Sequence, residues 1–295
     1  MKRLLVTGAS GVLGWNVCAV GRESWRVYGV VHRHAIDLPG VTRLVCDLTR
    51  PGDLPRLFRE VAPHAAIHCA AAAQPDFCQA HPDESRGINV EVAASLADLC
   101  GLAAIPYAFV STDLVFDGTS PPYREENPVS PISVYGEQKA AAERAVRARH
   151  PGAVICRLSP IFGDPGPASA SFMHPWISAL RNGRPLTLFV DEFRTPVGAR
   201  TAAVGLLMAL ETGGGILHLG GRERISRYAL GILLAEMLAV DVGFIVPGRQ
   251  RDRTIGAPRP PDVSRDSSFA YSLGYDPPPL REELKTALHD LGLTV

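Results

Sequence analysis

The stretch RLLVTGASGVLG at residues 3–14 joins a short apolar strand to a helix through three glycines spaced three residues apart. Gly8 permits a tight turn at the end of the strand, Gly11 lets a diphosphate approach the backbone, and Gly14 lets the helix pack closely. The free N–H groups and the macrodipole at the start of the helix favour a negative charge there. The stretch therefore predicts that a dinucleotide binds where the first strand meets the first helix. A glycine-rich turn without a ligand is the alternative.

The same alternation of strand and helix continues over the first 160 residues. Runs rich in Val and Ile predict strands at 3–7, 26–31, 43–46, 65–69, 105–110 and 153–157, with helices at 11–22, 53–61, 85–100 and 133–149. Strands that are apolar on both faces and joined by helices predict an α/β fold with a doubly wound parallel sheet. We expect a Rossmann dinucleotide-binding domain at 1–157 plus about 198–221. A smaller C-terminal α/β substrate lobe would comprise 158–197 plus 222–295, where Pro and Gly are frequent.

The composition excludes several classes of protein. Of the 295 residues, 46% are apolar and 20% charged, and 30 basic residues balance 30 acidic ones, so neither disorder nor a nucleic-acid partner is expected. No apolar run approaches the ~20 residues that span a bilayer. The apolar start ends at Thr7–Gly8, too early for a signal peptide, so we expect no membrane association and a cytoplasmic location. The six cysteines show neither paired spacing nor a zinc pattern with the nine histidines, and no metal site is expected.

The second predicted strand ends in a cationic sequence, Val31-His32-Arg33-His34. A chain that binds NAD through this kind of fold places an acid here, about 20 residues after the glycines, to hold the ribose 2′-hydroxyl. Cations instead suit the 2′-phosphate of NADP, which Arg33 can hold through two parallel hydrogen bonds. The sequence therefore predicts NADP(H) as the cofactor, with exposed loop cations that bind nothing as the alternative.

Tyr135 and Lys139, in the sequence YGEQK, lie four residues apart on one face of a predicted helix. Lysine is rare in this chain, since 27 of the 30 basic residues are Arg, so an internal Lys suggests a role that a guanidinium cannot take. An ammonium about 6 Å from a phenol, at an effective dielectric constant of about 20, lowers the phenol pKa by about two units. We therefore expect the pair to act in acid–base chemistry, with a packed Tyr beside a surface Lys as the alternative.

Thr112 ends the fifth predicted strand, directly before Asp113. The carboxyl ends of the strands in a doubly wound sheet face the ligand crevice. Thr112 is therefore expected beside the helix that carries Tyr135, where its hydroxyl would hydrogen-bond a substrate carbonyl. A hydroxyl that only caps a turn is the alternative.

These motifs, in this order, resemble those of the extended short-chain dehydrogenases/reductases, and within them those of the dTDP-4-dehydrorhamnose reductases. The resemblance covers nearly the whole chain and rests on residues 7–14, 47–48, 68–72, 111–118, 135–139, 191–193, 196, 198–199 and 259–260. It implies an enzyme in which Thr112, Tyr135 and Lys139 assist hydride transfer from NADPH to the keto group of a nucleotide-linked deoxy sugar.

Motifs and resemblance together predict the residues at each ligand. Those expected at NADP(H) are Gly8, Ser10, Gly11, Val12, Leu13, Gly14, His32, Arg33, His34, Asp47, Leu48, Cys69, Ala70, Ala71, Tyr135, Lys139 and Ile161. Those expected at the nucleotide-linked keto sugar are Thr112, Asp113, Arg194 and Arg259, the arginines because a planar guanidinium suits a diphosphate. Surface arginines without a ligand are the alternative, and the sequence leaves a homodimer open.

The sequence separates this activity from related ones only in part. The dehydratases of the superfamily carry Asp-Glu after the Thr, whereas Leu114 follows Asp113 here and cannot transfer a proton, which argues against dehydration. Epimerisation needs only the Tyr and the Lys and stays open. Residues 116–119 and 121–126 also resemble the regulatory beta subunit of methionine adenosyltransferase, and Pro160 stands where rhamnose-type reductases often carry a Trp. A non-catalytic NADP-binding subunit is therefore the alternative to the reductase.

Overall fold

Alternating strands and helices make up the first half of the chain. The computed structural model, which describes residues 1–253 and 256–293, contains there β1 (Arg3–Thr7), α1 (Val12–Gly21), β2 (Arg26–Val31), β3 (Val41–Val45), α2 (Asp53–Val61), β4 (Ala65–His68), α3 (Pro75–Ala80), α4 (Pro82–Arg86), α5 (Val92–Leu102), β5 (Tyr107–Thr112), α6 (Val134–Arg149) and β6 (Val154–Leu158). A π-helical turn at Gly87–Glu91 joins α4 to α5, and a 3₁₀ turn at Asp113–Val115 follows β5. The predicted strands lie within two residues of these positions. The helix expected at 85–100 is continuous with α4 through the π-helical turn.

Shorter elements make up the second half. They are β7 (Ile161–Phe162), α7 (Met173–Arg181), β8 (Leu186–Phe189), β9 (Phe193–Arg194), β10 (Val197–Gly198), α8 (Ala199–Ala209), β11 (Gly215–Leu219), β12 (Ile225–Ser226), α9 (Arg227–Met237), β13 (Ile245–Gly248), α10 (Ser268–Ser272) and α11 (Leu280–Asp290). Within the described residues, no helix is both long enough and apolar enough to cross a membrane.

A parallel sheet of seven strands, counted over the described residues, runs in the order β11-β6-β5-β4-β1-β2-β3. From β1 the chain adds β2 and β3 on one side, then crosses back and adds β4, β5, β6 and β11 on the other. Sheets wound in this way bind ligands at the carboxyl ends of the strands where the winding reverses, here between β1 and β4. The predicted α/β doubly wound fold is confirmed.

Helices cover both faces of the sheet, which explains why its strands are apolar throughout. On one face α1 and α8 pack through buried side chains that include Val17 and Leu206. On the other face α2, α5 and α6 pack through Leu57, Leu96 and Val146. The sheet is therefore held between two helical layers, which leaves the carboxyl ends of its strands for a ligand.

A third apolar core lies outside the sheet. It joins Trp176 of α7, Leu188 of β8, Leu234 of α9 and Leu284 of α11, all of which are buried. Near it β8 pairs with β13, and the short strand β9 pairs with β12. Through β9, this part of the chain brings Arg194 to within 3.7 Å of the carboxylate that follows β5.

Candidate active site

The turn from β1 to α1 has the close backbone approach that its glycines predict. Gly8 adopts a φ of +69°, and a Cβ added there would lie 2.6 Å from the backbone nitrogen of Ala70. A Cβ added at Gly14 would lie 2.2 Å from the carbonyl oxygen of Gly8, so a side chain at this position would push α1 away. α1 begins at Val12 after Gly11, and no side chain caps its first N–H groups within the described residues. These N–H groups can therefore receive an anionic ligand.

The end of β4 lies directly beside this turn. Thr7 Oγ1 shares a hydrogen bond of 2.7 Å with Nδ1 of His68, and it accepts another of 3.3 Å from the N–H of Ala70. These bonds hold the ends of β1 and β4 together. The predicted cofactor residues Cys69, Ala70 and Ala71 thus form a half-buried wall next to the glycine turn.

The cationic residues 32–34 lie exposed at the end of β2. His32 Nε2 is 3.7 Å from the Oδ2 of Asp47, which follows β3, and Arg50 Nε is 3.5 Å from the same oxygen. Hydrogen bonds from Thr49, with smaller contributions from these two cations, hold the pKa of Asp47 below its usual range. The remaining predicted cofactor residues are Ser10, Leu13, Leu48 and Ile161, of which Leu13 is buried and the others half-buried.

Helix α6 rests directly on the 3₁₀ turn that follows β5. A Cβ added at Gly136 would lie 2.2 Å from the carbonyl oxygen of Leu114, so this approach requires glycine. Ser133 caps the helix, because its Oγ accepts the N–H of Gly136 at 3.2 Å. Tyr135 precedes Gly136 and Thr112 precedes the turn, so this contact brings the two predicted catalytic residues close together, and the Thr112 hydroxyl acts on the pKa of Tyr135.

The phenol of Tyr135 is buried, with 8% of the residue exposed. Burial raises its pKa above the ordinary value, the Asp113 carboxylate raises it further, and the neighbouring Thr112 hydroxyl offsets part of this rise. The expected lowering of this pKa by Lys139 is therefore wrong for the structure. The expectation considered a single cation and left out both desolvation and the neighbouring carboxylate.

Lys139 is also buried, with 2% of the residue exposed. Its Nζ lies 4.1 Å from the centroid of the Phe109 ring, on the face of the aromatic system. Burial lowers the pKa of Lys139 to about 7, although the Glu143 carboxylate opposes this shift. The ammonium therefore titrates near neutral pH.

The hydroxyl of Thr112 has two hydrogen bonds within its own turn. It donates to Oδ1 of Asp113 at 3.1 Å and accepts from the N–H of Leu114 at 3.2 Å. Thr112 therefore caps the turn, and it also lies beside Tyr135. The second oxygen of Asp113, Oδ2, has no hydrogen-bond partner in the described part of the chain, and Nε of Arg194 is 3.7 Å away from it.

The two predicted substrate arginines differ in the number of protein groups that their guanidinium nitrogens contact. Arg194 is 5% exposed, and it donates to the carbonyl oxygens of Phe193 at 2.6 Å and Pro260 at 3.0 Å. Its Nη2 also lies 3.5 Å from an oxygen of Glu192. Arg259 is half-buried, and its Nε has no hydrogen-bond partner among the described residues. Most donors of Arg194 are thus in use, whereas Nε of Arg259 is buried and unpaired among the described residues.

The sequence matches the RmlD substrate binding domain over residues 1–293. The chain belongs to the RmlD substrate binding domain family. It is similar to the probable low-salt glycan biosynthesis reductase of Haloferax volcanii, with 31% identity over 294 residues, which cover 95% of each protein. It is also similar to the methionine adenosyltransferase 2 subunit beta of Xenopus laevis, with 30% identity over 283 residues, which cover 92% of this chain and 83% of that protein.

Solved structures share the whole fold of this RmlD-family chain. A dTDP-4-dehydrorhamnose reductase from Bacillus anthracis, solved in complex with NADP, has a TM-score of 0.87 and 23% identity over 98% of this chain and 99% of that chain. A hypothetical dTDP-4-dehydrorhamnose reductase from Sulfolobus tokodaii has a TM-score of 0.80 and 31% identity over 92% of this chain and 94% of that chain. The resemblance inferred from the motifs is confirmed.

The sequence did not predict a cluster of hydrogen-bonded polar side chains next to the candidate site of this RmlD-family chain. Asn89, in the π-helical turn, accepts the N–H of Ala72 at 2.9 Å and donates to Oε1 of Gln138 at 2.8 Å. Gln138 in turn donates to Oγ of Ser85 at 2.8 Å. Because Gln138 directly precedes Lys139, the cluster ties α6 to the loop that follows β4. A polar residue inside the YGEQK motif was the available signal.

A buried ion pair was missed as well. Oε1 of Glu143 accepts hydrogen bonds from Oγ of Ser111 at 2.5 Å and Nε of Arg157 at 3.0 Å, and Oε2 accepts one from Nη2 of Arg157 at 2.9 Å. All three residues are buried. The spacing of four residues between Lys139 and Glu143 was a usable signal, but no local pattern indicates the partner on β6.

Proposed function

We propose that the chain is an NADP(H)-dependent reductase of the keto group of a nucleotide-linked deoxy sugar. The observation that carries this proposal is the backbone contact of Gly136 with Leu114, which places Tyr135 beside Thr112 at the carboxyl end of β5, one helical turn from Lys139. A phenol, a hydroxyl and an ammonium at the crevice of a dinucleotide fold suit carbonyl reduction. The likeness to the Haloferax volcanii reductase and to the hypothetical dTDP-4-dehydrorhamnose reductase of Sulfolobus tokodaii supports the substrate class.

NADP(H) is the proposed cofactor, and the residues present fit it. The free N–H groups at the start of α1 would hold its diphosphate, in a space that a Cβ at Gly8 or Gly14 would obstruct. Arg33, flanked by His32 and His34 at the surface end of β2, would hold the 2′-phosphate. When bound, the cofactor supplies the hydride for the keto carbon.

In this mechanism the protein orients the keto group and supplies its proton. Tyr135 gives its phenol proton to the keto oxygen as the carbon gains the hydride. The raised pKa of Tyr135 keeps the phenol protonated beforehand, and the alkoxide that forms is a still stronger base. Thr112 donates its own hydroxyl hydrogen to Asp113, which leaves Tyr135 as the proton source. Lys139 would hold the nicotinamide ribose, and solvent then returns a proton to Tyr135.

The proposal includes the division of the chain into two units. The dinucleotide-binding domain would be 1–157 plus about 198–221, and the substrate lobe 158–197 plus 222–295. Two observations support this division: β11 pairs with β6 inside the central sheet, and the third apolar core draws its residues from the second unit. The crevice between β5 and β9 would then lie where the two units meet.

Turnover tests the proposed function directly. Purified protein should oxidise NADPH in the presence of dTDP-4-keto-6-deoxy sugars or another member of a panel of nucleotide-linked keto sugars. Tyr135→Phe removes the proton donor and should lower kcat by about 100-fold or more while leaving NADPH affinity nearly unchanged. Tyr228→Phe, on α9 and away from β5, is the matched control and should retain full activity. Equal activity in Tyr135→Phe and the wild type would refute the mechanism.

A non-catalytic regulatory subunit is the second candidate function. The observation that favours it is the 30% identity to the methionine adenosyltransferase 2 subunit beta over 92% of this chain. Such a subunit would bind NADP(H) without turning over any sugar of the panel. Stoichiometric co-purification with a methionine adenosyltransferase, in the absence of turnover, would select this function over the reductase.

A further inference from the structure

A buried acid lies one helical turn beyond Lys139. We propose that Glu143 is a positioning residue that holds the end of β5 against α6 and supplies the negative charge that keeps Lys139 as an ammonium. The inference rests on the proposed function, since it assigns a role within the same site. Its first test, however, needs neither cofactor nor turnover.

Glu143 connects three elements of the central sheet and its helical layer. From α6 it accepts the Ser111 hydroxyl of β5 at 2.5 Å and the Arg157 guanidinium of β6 through both carboxylate oxygens, at 3.0 and 2.9 Å. A two-point pairing between a guanidinium and a carboxylate fixes direction as well as distance. Because Ser111 directly precedes Thr112, Glu143 sets the position of the Thr112 hydroxyl relative to the face of α6 that carries Tyr135.

Lys139 lies among groups that offer little to balance its charge. The groups around it are Tyr135 and Glu143 on α6, His68 on β4, Phe109 on β5, Cys69 after β4 and Cys78 on α3. Burial raises the pKa values of both thiols, so they stay neutral near pH 7. Burial also lowers the pKa of Lys139 to about 7, and the largest opposing effect is that of Glu143. Of these groups, Glu143 is thus the anion that offsets the desolvation of the ammonium.

The pair of Glu143 and Arg157 borders a cavity of about 640 Å³ between α6 and the segment 125–129, which Arg144 and Arg147 also line. Arg157 stacks over the Phe116 ring at 5.1 Å and lies 3.4 Å from Nε2 of His218. Replacing a buried ion pair by apolar residues is often neutral or stabilising, so stability alone does not account for this pair. Glu143 also lies one helical turn from Lys139 on α6, and its carboxylate acts on the charge of Lys139.

The small number of lysines makes a direct test practicable. The chain contains Lys2, Lys139 and Lys285, so ¹³Cε-lysine NMR identifies the Lys139 signal as the one lost in Lys139→Met. The wild-type signal should titrate near pH 7. In Glu143→Gln its midpoint should fall by about one pH unit or more, because the carboxylate is lost and the Arg157 cation stays. In Arg157→Leu the midpoint should rise, because the Glu143 charge is then no longer neutralised.

The matched control is Glu137→Gln, which removes an exposed carboxylate from the same helix and should leave the midpoint in place. An unmoved midpoint in Glu143→Gln, or a shift in the same direction in Glu143→Gln and Arg157→Leu, would overturn the proposal. Where Glu143→Gln does not fold, the double variant E143Q/R157L takes its place, since it buries no unpaired charge. Its midpoint must also lie below that of the wild type.

Enzyme kinetics supply a second readout. The ammonium form of Lys139 is the active one, so kcat/KM should decrease as the pH rises through the midpoint of Lys139. In Glu143→Gln this decrease should occur at lower pH, displaced by the shift seen in the NMR titration. Below the midpoint kcat should fall about tenfold with KM changed less than twofold, because Thr112 is displaced at the reacting carbonyl while the other substrate contacts stay. Absence of turnover in the wild type would refute the proposed function and leave the NMR test valid. If an active Glu143→Gln variant shows the decrease in kcat/KM at the same pH as the wild type, the inference about Glu143 is overturned and the proposed function is not.

Discussion

Arg194 belongs to a buried ionic group at the carboxyl end of β5. Its Nε lies 3.7 Å from Oδ2 of Asp113, and its Nη2 lies 3.5 Å from Oε1 of Glu192. Nε of Arg227 donates to the same Glu192 oxygen at 2.9 Å. Removal of one partner from such a group leaves a buried charge without compensation, which is far more costly than the loss of an exposed ion pair. Arg194 therefore has the larger structural role, although Arg259 also adds positive charge near Glu192.

This contrast gives a prediction for the two arginines. Arg194→Met should lower the free energy of unfolding by about 3–5 kcal/mol, as expected for breaking a buried pair. Arg259→Met should lower it by less than about 1 kcal/mol and should instead raise the KM for the nucleotide sugar with kcat nearly unchanged. Urea unfolding and steady-state kinetics measure the two effects. Equal stability loss in both variants would contradict the assignment.

At the residue scale, spacing predicts which side chains meet but not what burial does to them. Tyr135 and Lys139 follow from a helical period of four, and Thr112 follows from its place at a strand end. Desolvation then raises the pKa of Tyr135 and lowers that of Lys139, in both cases toward the neutral form. Asn89 could not be predicted as a site residue, and the spacing of Glu143 from Lys139 indicated only part of its role, because the partners of both residues are distant in sequence and meet them only in the fold.

At the scale of elements, the candidate site depends on the contact between α6 and the 3₁₀ turn after β5. The helix approaches the turn so closely that Gly136 and Leu114 touch through their backbones. The Ser133 cap fixes where the helix begins. Together these features set the position of Tyr135 relative to the strand ends. A single methyl group added at Gly136 would change this position.

Gly136→Ala tests this dependence. The new Cβ would lie 2.2 Å from the Leu114 carbonyl oxygen and 2.9 Å from Cβ of Pro131, so α6 must move. A displacement of about 1 Å can lower a rate by about 100-fold, and we expect a loss of this order in kcat with NADPH affinity changed less than threefold. Gly87→Ala, in the π-helical turn with no atom within 4 Å of the added Cβ, is the matched control and should retain activity. Full activity in Gly136→Ala would show that Tyr135 does not need this contact.

The elements that the sequence predicts are those whose signals are local. Strands of the central sheet are apolar runs between breakers, so their positions follow within two residues. Four strands of two residues each form by pairing across the chain, β7 with β10 and β9 with β12. Two residues are too few to show the alternation of apolar and polar side chains that predicts a strand. The π-helical turn at Gly87–Glu91 is likewise set by its surroundings, where Asn89 bonds to Ala72 and Gln138.

At the scale of the whole molecule, the sheet buries titratable groups from distant parts of the chain. His218 of β11 hydrogen-bonds the carbonyl oxygen of Tyr123 at 3.2 Å, and His68 of β4 hydrogen-bonds Thr7 at 2.7 Å. Burial lowers the pKa of His68 to about 3 and, with nearby arginines, that of His218 to about 2. Both imidazoles therefore stay neutral in the folded chain at pH values where the unfolded chain protonates them.

The stability of the fold should consequently fall in acid. Below the unfolded pKa of about 6.5 the unfolded chain binds more protons than the folded one, so stability present at pH 7.5 is lost as pH decreases toward the folded pKa values. Each histidine should cost about 3 kcal/mol by pH 4.5, a large part of the typical 5–15 kcal/mol total. Urea unfolding at pH 7.5 and pH 4.5 measures this loss, which His218→Gln should reduce by about 3 kcal/mol. His289→Gln, at an exposed histidine, should leave the loss unchanged, and an equal loss in His218→Gln and the wild type would show that His218 does not couple folding to protonation.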